Sequence, residues 1–265
     1  MTLKSLLKRI ILFVIPADNQ LLYRLSKWYL DLYNNENNDD MRTNGELQLI
    51  RRILPLCTIV FDVGANVRNW TSLALTINPQ LTVHCFEPSE ATYQRLLNNR
   101  FSPSIICNNY GLSSTAVMST LYVFGNGSGI NSLYQRQGWE EGWGLSCPTC
   151  GEPVRLETLD GYCQRAKIQT IDFLKIDVEG HELEVLKGAT NMLAKGGIRF
   201  IQFEYGGCNI DTKVLLKDFF EFFQPLPYTF HKICSKKLLR VERYDQRMEN
   251  FQYQNWVVVK KNELL

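Results

Sequence analysis

Mostly apolar runs alternate along the chain with stretches whose apolar positions recur every three or four residues. Residues 58–63 read as a buried strand, and Trp70, Leu73, Ala74 and Ile77 then fall at i, i+3, i+4 and i+7, which predicts a helix that Pro79 stops. A second strand is expected over 81–86, a helix carrying Tyr93, Leu96 and Leu97 behind Ser89, and a third strand over 104–107. Leu159, Tyr162, Cys163 and Ala166 mark a helix that leads into a strand over 173–176. Leu183, Leu186, Ala189 and Leu193 line the next helix, which Gly196-Gly197 ends, and a strand follows over 198–204. A Phe-rich helix over about 212–223 stops at Pro225, and 228–233 and 251–259 read as closing strands. Strand and helix alternating through short links predict an α/β fold with a parallel, doubly wound sheet; no clear helix joins the last two strands, which predicts an antiparallel pair at its end.

Two regions depart from this rhythm. Residues 117–157 open with a hairpin-like alternation over 117–124 and continue into a Gly- and Trp-rich loop, an insertion of the kind that selects substrates. Residues 34–40, Asn-Asn-Glu-Asn-Asn-Asp-Asp, read as a linker, so 1–40 is expected to be a helical arm and linker and 41–265 the main domain. In the arm, Leu3, Leu6, Leu7, Ile10, Ile11 and Val14 fall at helical spacing with Lys4, Ser5, Lys8 and Arg9 opposite. The apolar run at 10–15 is six residues long and Pro16 ends it, too short for a secretory leader or a membrane span. Such a helix packs on its own domain or on a second subunit in a homodimer, or lies through residues 3–15 on an anionic membrane surface.

Composition narrows the class. The chain has 265 residues, 45% hydrophobic and 21% charged, with a mean hydropathy of −0.18, as a soluble globular protein does. Its formal charge of +2 gives no reason to expect a nucleic-acid partner. Of eight cysteines, Cys57, Cys85, Cys107, Cys163, Cys208 and Cys234 lie in or near apolar runs, a usage that suits free thiols in a reducing cytoplasm.

The chemistry gathers at strand ends. The strand over 173–176 runs straight into Asp177, Glu179, His181 and Glu182. Carboxylates at a core edge must be solvated or paired, and ligands of open α/β sheets sit at the carboxyl ends of the strands. The first strand exits into Asp62-Val63-Gly64-Ala65-Asn66, where a glycine lets backbone approach a ligand, and the second ends at Glu87, 23 residues after Gly64. A carboxylate there can accept both hydroxyls of a ribose. Gly64-Ala65-Asn66-Val67-Arg68-Asn69 lacks the two later glycines of a dinucleotide loop, which disfavours a nicotinamide oxidoreductase. An adenosyl cofactor without phosphates needs only the first close approach, and Asp62 and Asn66 suit its amino-acid tail; the combination points to S-adenosylmethionine.

Asp62-Val63-Gly64-Ala65-Asn66, Phe86-Glu87-Pro88, Asn109-Tyr110-Gly111-Leu112-Ser113, Thr158-Leu159-Asp160 and Lys175-Ile176-Asp177-Val178-Glu179-Gly180-His181-Glu182 occur in that order, after Thr43-Asn44-Gly45-Glu46. Together they resemble the FkbM family of S-adenosylmethionine-dependent methyltransferases over about residues 43–205. The resemblance implies a class I methyltransferase fold, Rossmann-like, with a seven-stranded, mostly parallel sheet and an antiparallel final strand, and methyl transfer to a hydroxyl oxygen of a sugar, glycan or natural product. It implies that Asp62, Gly64 and Asn66 line the methionine moiety, Glu87 the ribose and Asn109 the adenine, with Asp177 near the sulfonium. Arg68 stands where the family usually has a second glycine, so a catalytically silent, methyltransferase-like binding module is the alternative.

A hydroxyl acceptor must lose its proton during attack. His181, oriented by Glu179, is the candidate base, with Glu204 at the end of the neighbouring strand as an alternative base or acceptor-positioning group. Asp177, Glu179, His181 and Glu204 have the chemistry for a magnesium or manganese ion, but nothing in their spacing fixes a metal site. Cys147-Pro148-Thr149-Cys150-Gly151 is half of a zinc ribbon whose second pair is missing, so zinc at Cys147 and Cys150 would need completion from elsewhere, for instance across a dimer. Phe124, Tyr134, Trp139 and Trp143 either stack on a sugar face or anchor the insertion.

Overall fold

The computed structural model describes residues 3–14, 18–67, 69–98, 102, 104–124, 129–136 and 150–263. Helices α1 (Leu3–Val14), α2 (Gln20–Asn34) and α3 (Glu46–Ile53) precede strand β1 (Ile59–Val63). Then come α4 (Asn69–Ile77), β2 (Thr82–Phe86), α5 (Glu90–Asn98), β3 (Ile105–Asn108), β4 (Gly111–Leu112), β5 (Val117–Val123) and β6 (Cys150–Glu157). The second half runs α6 (Leu159–Ala166), β7 (Ile171–Ile176), α7 (Glu182–Lys187), α8 (Thr190–Ala194), β8 (Ile198–Tyr205), α9 (Cys208–Thr212), α10 (Leu216–Phe223), β9 (Tyr228–Cys234), β10 (Lys237–Val241) and β11 (Gln254–Lys260).

The main sheet has the order β10-β9-β11-β8-β7-β1-β2-β3. β3, β2, β1, β7 and β8 are parallel neighbours, whereas β11 runs antiparallel between β8 and β9. This is the doubly wound α/β sheet with an antiparallel strand that the resemblance implies, with an eighth strand, β10, added as a hairpin on the outer edge. The central strands are largely apolar because both faces are covered. Phe61, Phe86, Leu174, Ile176, Phe203 and Trp256 pack on one face, and Val60, Val83, Cys85, Phe173, Phe200 and Val257 on the other. The Phe-rich helix α10 uses this pattern, with Phe219 stacked on Phe203 at 4.5 Å between ring centroids.

Two details differ from the periodicity. The helix expected over 183–193 is divided at Gly188 and Ala189 into α7 and α8. A Cβ at Gly188 would lie 2.0 Å from the Ser113 carbonyl oxygen, so the glycine admits the chain that follows β4. The polar run 34–40 is docked rather than free: Asn35 and Glu36 are buried, Asn35 donates to the carbonyls of Asn44 (2.7 Å) and Ile233 (3.0 Å), and Glu36 accepts from Lys232 (3.0 Å) and Asn250 (2.9 Å). The paired part of the insertion forms a small sheet, β4-β6-β5, closed by Leu121, Val123, Val154 and Leu156.

Candidate functional site

Because β1, β2, β7 and β8 point the same way, their carboxyl ends converge. At the end of β1 the chain turns through Gly64, whose φ of +81° is open to glycine; a Cβ there would sit 1.8 Å from the Asp177 carbonyl oxygen. The Gly64 and Ala65 N–H groups donate to the Phe86 carbonyl (3.0 and 3.1 Å), and the Asp177 N–H donates to that of Val63 (3.0 Å). The ends of β1, β2 and β7 are thus laced backbone to backbone.

A cleft opens over this junction, lined among others by Gly64, Asn66, Glu87, Thr92, Leu112 and His181. Glu87 accepts from the backbone N–H groups of Asn66 and Ser89, each at 3.0 Å, and burial pushes its carboxyl up to about 7 despite those bonds. Asn66 Oδ1 and Thr92 Oγ1, both on lining residues, are buried without a hydrogen-bond partner in the protein, and so is Asn109 Oδ1 beyond β3. Buried polar atoms in native proteins are nearly always paired, so these orphans fit a ligand that brings its own polar groups. The Asn109 amide is turned toward Glu90, to which it donates, and the residue lies outside the lining of the cleft.

A second cleft shares Gly64, Asn66 and Asp177 with the first and continues to Glu46, Glu204 and Tyr253. Among the described residues its lining holds one cation, Lys175, 2.8 Å from Asp177 and 3.7 Å from Asp62. Burial opposes charge on Lys175, yet Asp177 and Asp62 outweigh it and its pKa is raised. Asp62 is fully buried and accepts from the Thr71 hydroxyl at 2.6 Å; burial raises its pKa against the pull of Lys175. Glu204 accepts from the Tyr253 hydroxyl at 2.8 Å, and burial, with Asp177, Glu179 and Glu46 nearby, pushes its carboxyl well above the usual range. Glu46 accepts from Asn44 (2.6 Å), Asn255 (3.1 Å) and Gln202. Among the described residues, four carboxyl groups stand around one lysine where the clefts meet, a set of acceptors that suits a cationic ligand group beside a hydroxyl.

His181 and Glu179 lie on the loop after β7, and Glu182 opens α7. The His181 imidazole is buried with both nitrogens engaged: Nδ1 is 2.7 Å from the Tyr134 hydroxyl and Nε2 2.9 Å from that of Ser113. Burial holds its pKa down at about 4. Glu179, at φ +57°, pairs with Arg136 rather than with His181. Glu182 is fully buried and accepts from the N–H groups of Val178 and Gly180, both at 3.1 Å, closing the loop on itself.

Of the residues expected at the site, Gly64, Asn66, Glu87, Asp177 and Glu204 line the two clefts and His181 and Glu179 line the first, whereas Asp62 lies fully buried behind Lys175 and, like Asn109, lines neither. Lys175, Tyr253 and Ser113 carry no assigned role from the sequence, and Tyr134, expected to stack on a sugar face or to anchor the insertion, meets His181. Lys175 had a signal, since a lysine between Leu174 and Ile176 in a buried strand must be paired. The pairings of the two tyrosines, with partners 47 and 49 residues away, left none. Among the described residues no group of three or more His, Cys, Asp or Glu side chains is arranged to hold a metal ion. Arg68, Trp139, Trp143 and Cys147, and with Cys147 the zinc assignment, lie outside the described residues.

The family described as the methyltransferase FkbM domain matches residues 62–245. The hexuronic acid methyltransferase AglP of Haloferax volcanii is 29% identical over 181 residues, which cover 66% of this chain and 69% of that protein. The methyltransferase sdnD of Sordaria araneosa is 31% identical over 160 residues, 51% of this chain and 61% of its own length. Among solved structures, the precorrin-6y C5,15-methyltransferase of Geobacter metallireducens superposes with a TM-score of 0.42 at 12% identity, covering 81% of this chain and 87% of that one.

Proposed function

The chain belongs to the FkbM family of S-adenosylmethionine-dependent methyltransferases, and from that premise we propose that it transfers the methyl group to a hydroxyl oxygen of a sugar, glycan or natural-product acceptor. The name of AglP, a hexuronic acid methyltransferase, supports a sugar acceptor, and that of sdnD supports methyl transfer. The observation that carries the reading is the junction of the clefts, where Asp62, Asp177, Glu204 and Glu46 outnumber Lys175. A bound S-adenosylmethionine supplies an electrophilic methyl on a sulfonium, and its ammonium and sulfonium charges suit this set of acceptors.

The chain's own groups divide the work. Asn66 would hold the amino-acid tail, with Asp62 behind it through Lys175, Glu87 the ribose and Asp177 the neighbourhood of the sulfonium, while Asn109, expected at the adenine, stands outside the cleft lining; the unpartnered oxygen of Asn66 is free to accept from the ligand. Glu204 takes the acceptor proton, because it lines the second cleft beside Asp177 at the end of the neighbouring strand. Tyr253 orients Glu204, and His181, held between two hydroxyls, positions the loop that carries Asp177 and Glu179. Residues 117–157 select the acceptor. A cytoplasmic location, with the candidate contact of residues 3–15 with a membrane surface and self-association, belongs to the same reading.

Replacing Glu204 by Gln tests the mechanism. Calorimetric affinity for S-adenosylmethionine should persist while methyl-ether formation on a panel of glycoside and polyol acceptors falls about 100-fold or more. Unchanged turnover in Glu204→Gln would remove it as base and return that role to His181. Absence of S-adenosylmethionine binding by the unsubstituted protein would instead favour the silent binding module, with Arg68→Gly as the variant to restore binding.

A further inference from the structure

We propose that helices α1 and α2, together with the turn between β9 and β10, form a docking face for an anionic lipid surface. Helix α2 has no buried residue along its 15 positions. Its polar stripe, Gln20, Arg24, Lys27 and Asp31, recurs at i, i+4, i+7 and i+11, and meets the body of the protein toward the helix end, where Lys27 bonds Gln252 at 3.4 Å and the following Asn35 side chain reaches the Ile233 carbonyl. Leu21, Leu25, Trp28, Tyr29 and Leu32 fall on the opposite side and are 52–69% exposed. A helix on a globular surface ordinarily buries its apolar stripe; α2 leaves that stripe exposed along its whole length, so its natural neighbour is an apolar medium outside the protein.

The occupant follows from charge and residue type. Helix α1 carries three basic residues, Lys4, Lys8 and Arg9, and no acidic one. Helix α1 repeats the arrangement, with Leu3, Leu7 and Ile11 exposed along one face and Lys4 and Arg9 beside it. Where α2 ends, a groove lined by Leu32 and Tyr33 continues into Ser235, Lys236 and Lys237 at the tip of the β9–β10 hairpin, and both lysines are exposed. Leucines with Trp and Tyr rings, flanked by Lys and Arg, are the composition of helices that lie in the headgroup region, where rings bridge the apolar and wet zones and cations meet anionic phosphates. Among the described residues no helix is long and apolar enough to cross a membrane, so the face lies on the bilayer. The β9–β10 tip ties the face to the folded domain, so docking would fix how the catalytic domain sits on the surface.

Co-sedimentation of the full chain with lipid vesicles tests this. Binding to phosphatidylcholine mixed with phosphatidylglycerol, and little to phosphatidylcholine alone, is expected. It should weaken about tenfold or more in a Leu25→Ser, Trp28→Ser double variant, and likewise in Lys236→Glu, Lys237→Glu or at raised salt. Calorimetric affinity for S-adenosylmethionine, measured alongside, should be the same in every variant, since the substituted residues are exposed and lie outside the clefts. This readout does not depend on the acceptor, so the methyl-transfer reading can fail without touching it. Equal binding to neutral and anionic vesicles overturns the proposal, as does binding unaffected by the substitutions. So does a chain that ignores vesicles, whether it scatters light as a monomer or as a dimer that Leu25→Ser, Trp28→Ser dissociates; the dimer would mean that a second copy covers the face.

Discussion

Gly64 and His181 show how differently two residues of one site can be read. The glycine's role follows from its place at the end of a strand, and the structure adds the reason, a carbonyl oxygen 1.8 Å from where a Cβ would stand. The histidine's role depends on neighbours 47 and 68 residues away, Tyr134 and Ser113, which no local pattern reveals. With a pKa of about 4 in place of the ordinary 6.5, the imidazole stays neutral across the physiological range. Its folded pKa is depressed, so its contribution to stability is present above pH 6.5 and is lost as pH falls toward about 4, by at most about 3 kcal/mol. NMR titration of the imidazole protons should therefore show no transition of His181 between pH 8 and about 5; a transition near 6.5 would mean that the ring is solvated and available as a base.

At the level of elements, the motif Thr158-Leu159-Asp160 turns out to be a joint. The Thr158 hydroxyl accepts from the Gly161 N–H at 3.1 Å and caps α6, while the Asp160 carboxylate accepts from Asn191 (2.7 Å) and Met192 (2.9 Å) at the start of α8. Asp160→Ala should cost about 1–2 kcal/mol in denaturant unfolding and leave cofactor affinity nearly unchanged, because the cap lies away from both clefts. A loss of cofactor binding larger than the loss of stability would show that α8 supports the site directly. The strands flanked by helices were legible because burial on both faces leaves nearly continuous apolar runs. β10 was not, since Lys-Leu-Leu-Arg-Val at a sheet edge is mostly exposed and carries no such run.

For the whole molecule, Lys175 is the tie. From the centre of the sheet it neutralises Asp62 on β1 and Asp177 after β7, and its charge also lowers the cost of keeping Glu204 on β8 and Glu46 on α3 ionised. Removing one partner of a buried ionic cluster is strongly destabilising, so Lys175→Met should lose about 3–5 kcal/mol at neutral pH. The remaining carboxylates would have folded pKa values raised further above their unfolded ones. Each then stabilises the fold only while protonated, and that stability is lost as pH rises, so the variant's deficit should be smaller at pH 5 than at pH 8 in parallel urea titrations. An equal deficit at both pH values would mean that Lys175 acts through packing alone.

What the amino-acid order decided by itself is whatever local periodicity and short-range geometry encode. The strands of the parallel sheet, the glycine turn after β1, the carboxylate that closes β2 and the ionisable knot after β7 can each be read within a window of a few residues. Tertiary structure decided the pairings between distant groups: Tyr253 on Glu204, Tyr134 and Ser113 on His181, Arg136 on Glu179, and the outward turn of the apolar face of α2. Those depend on which strand ends the crossovers bring side by side, and contacts set by chain topology leave no periodic trace in the residues that make them.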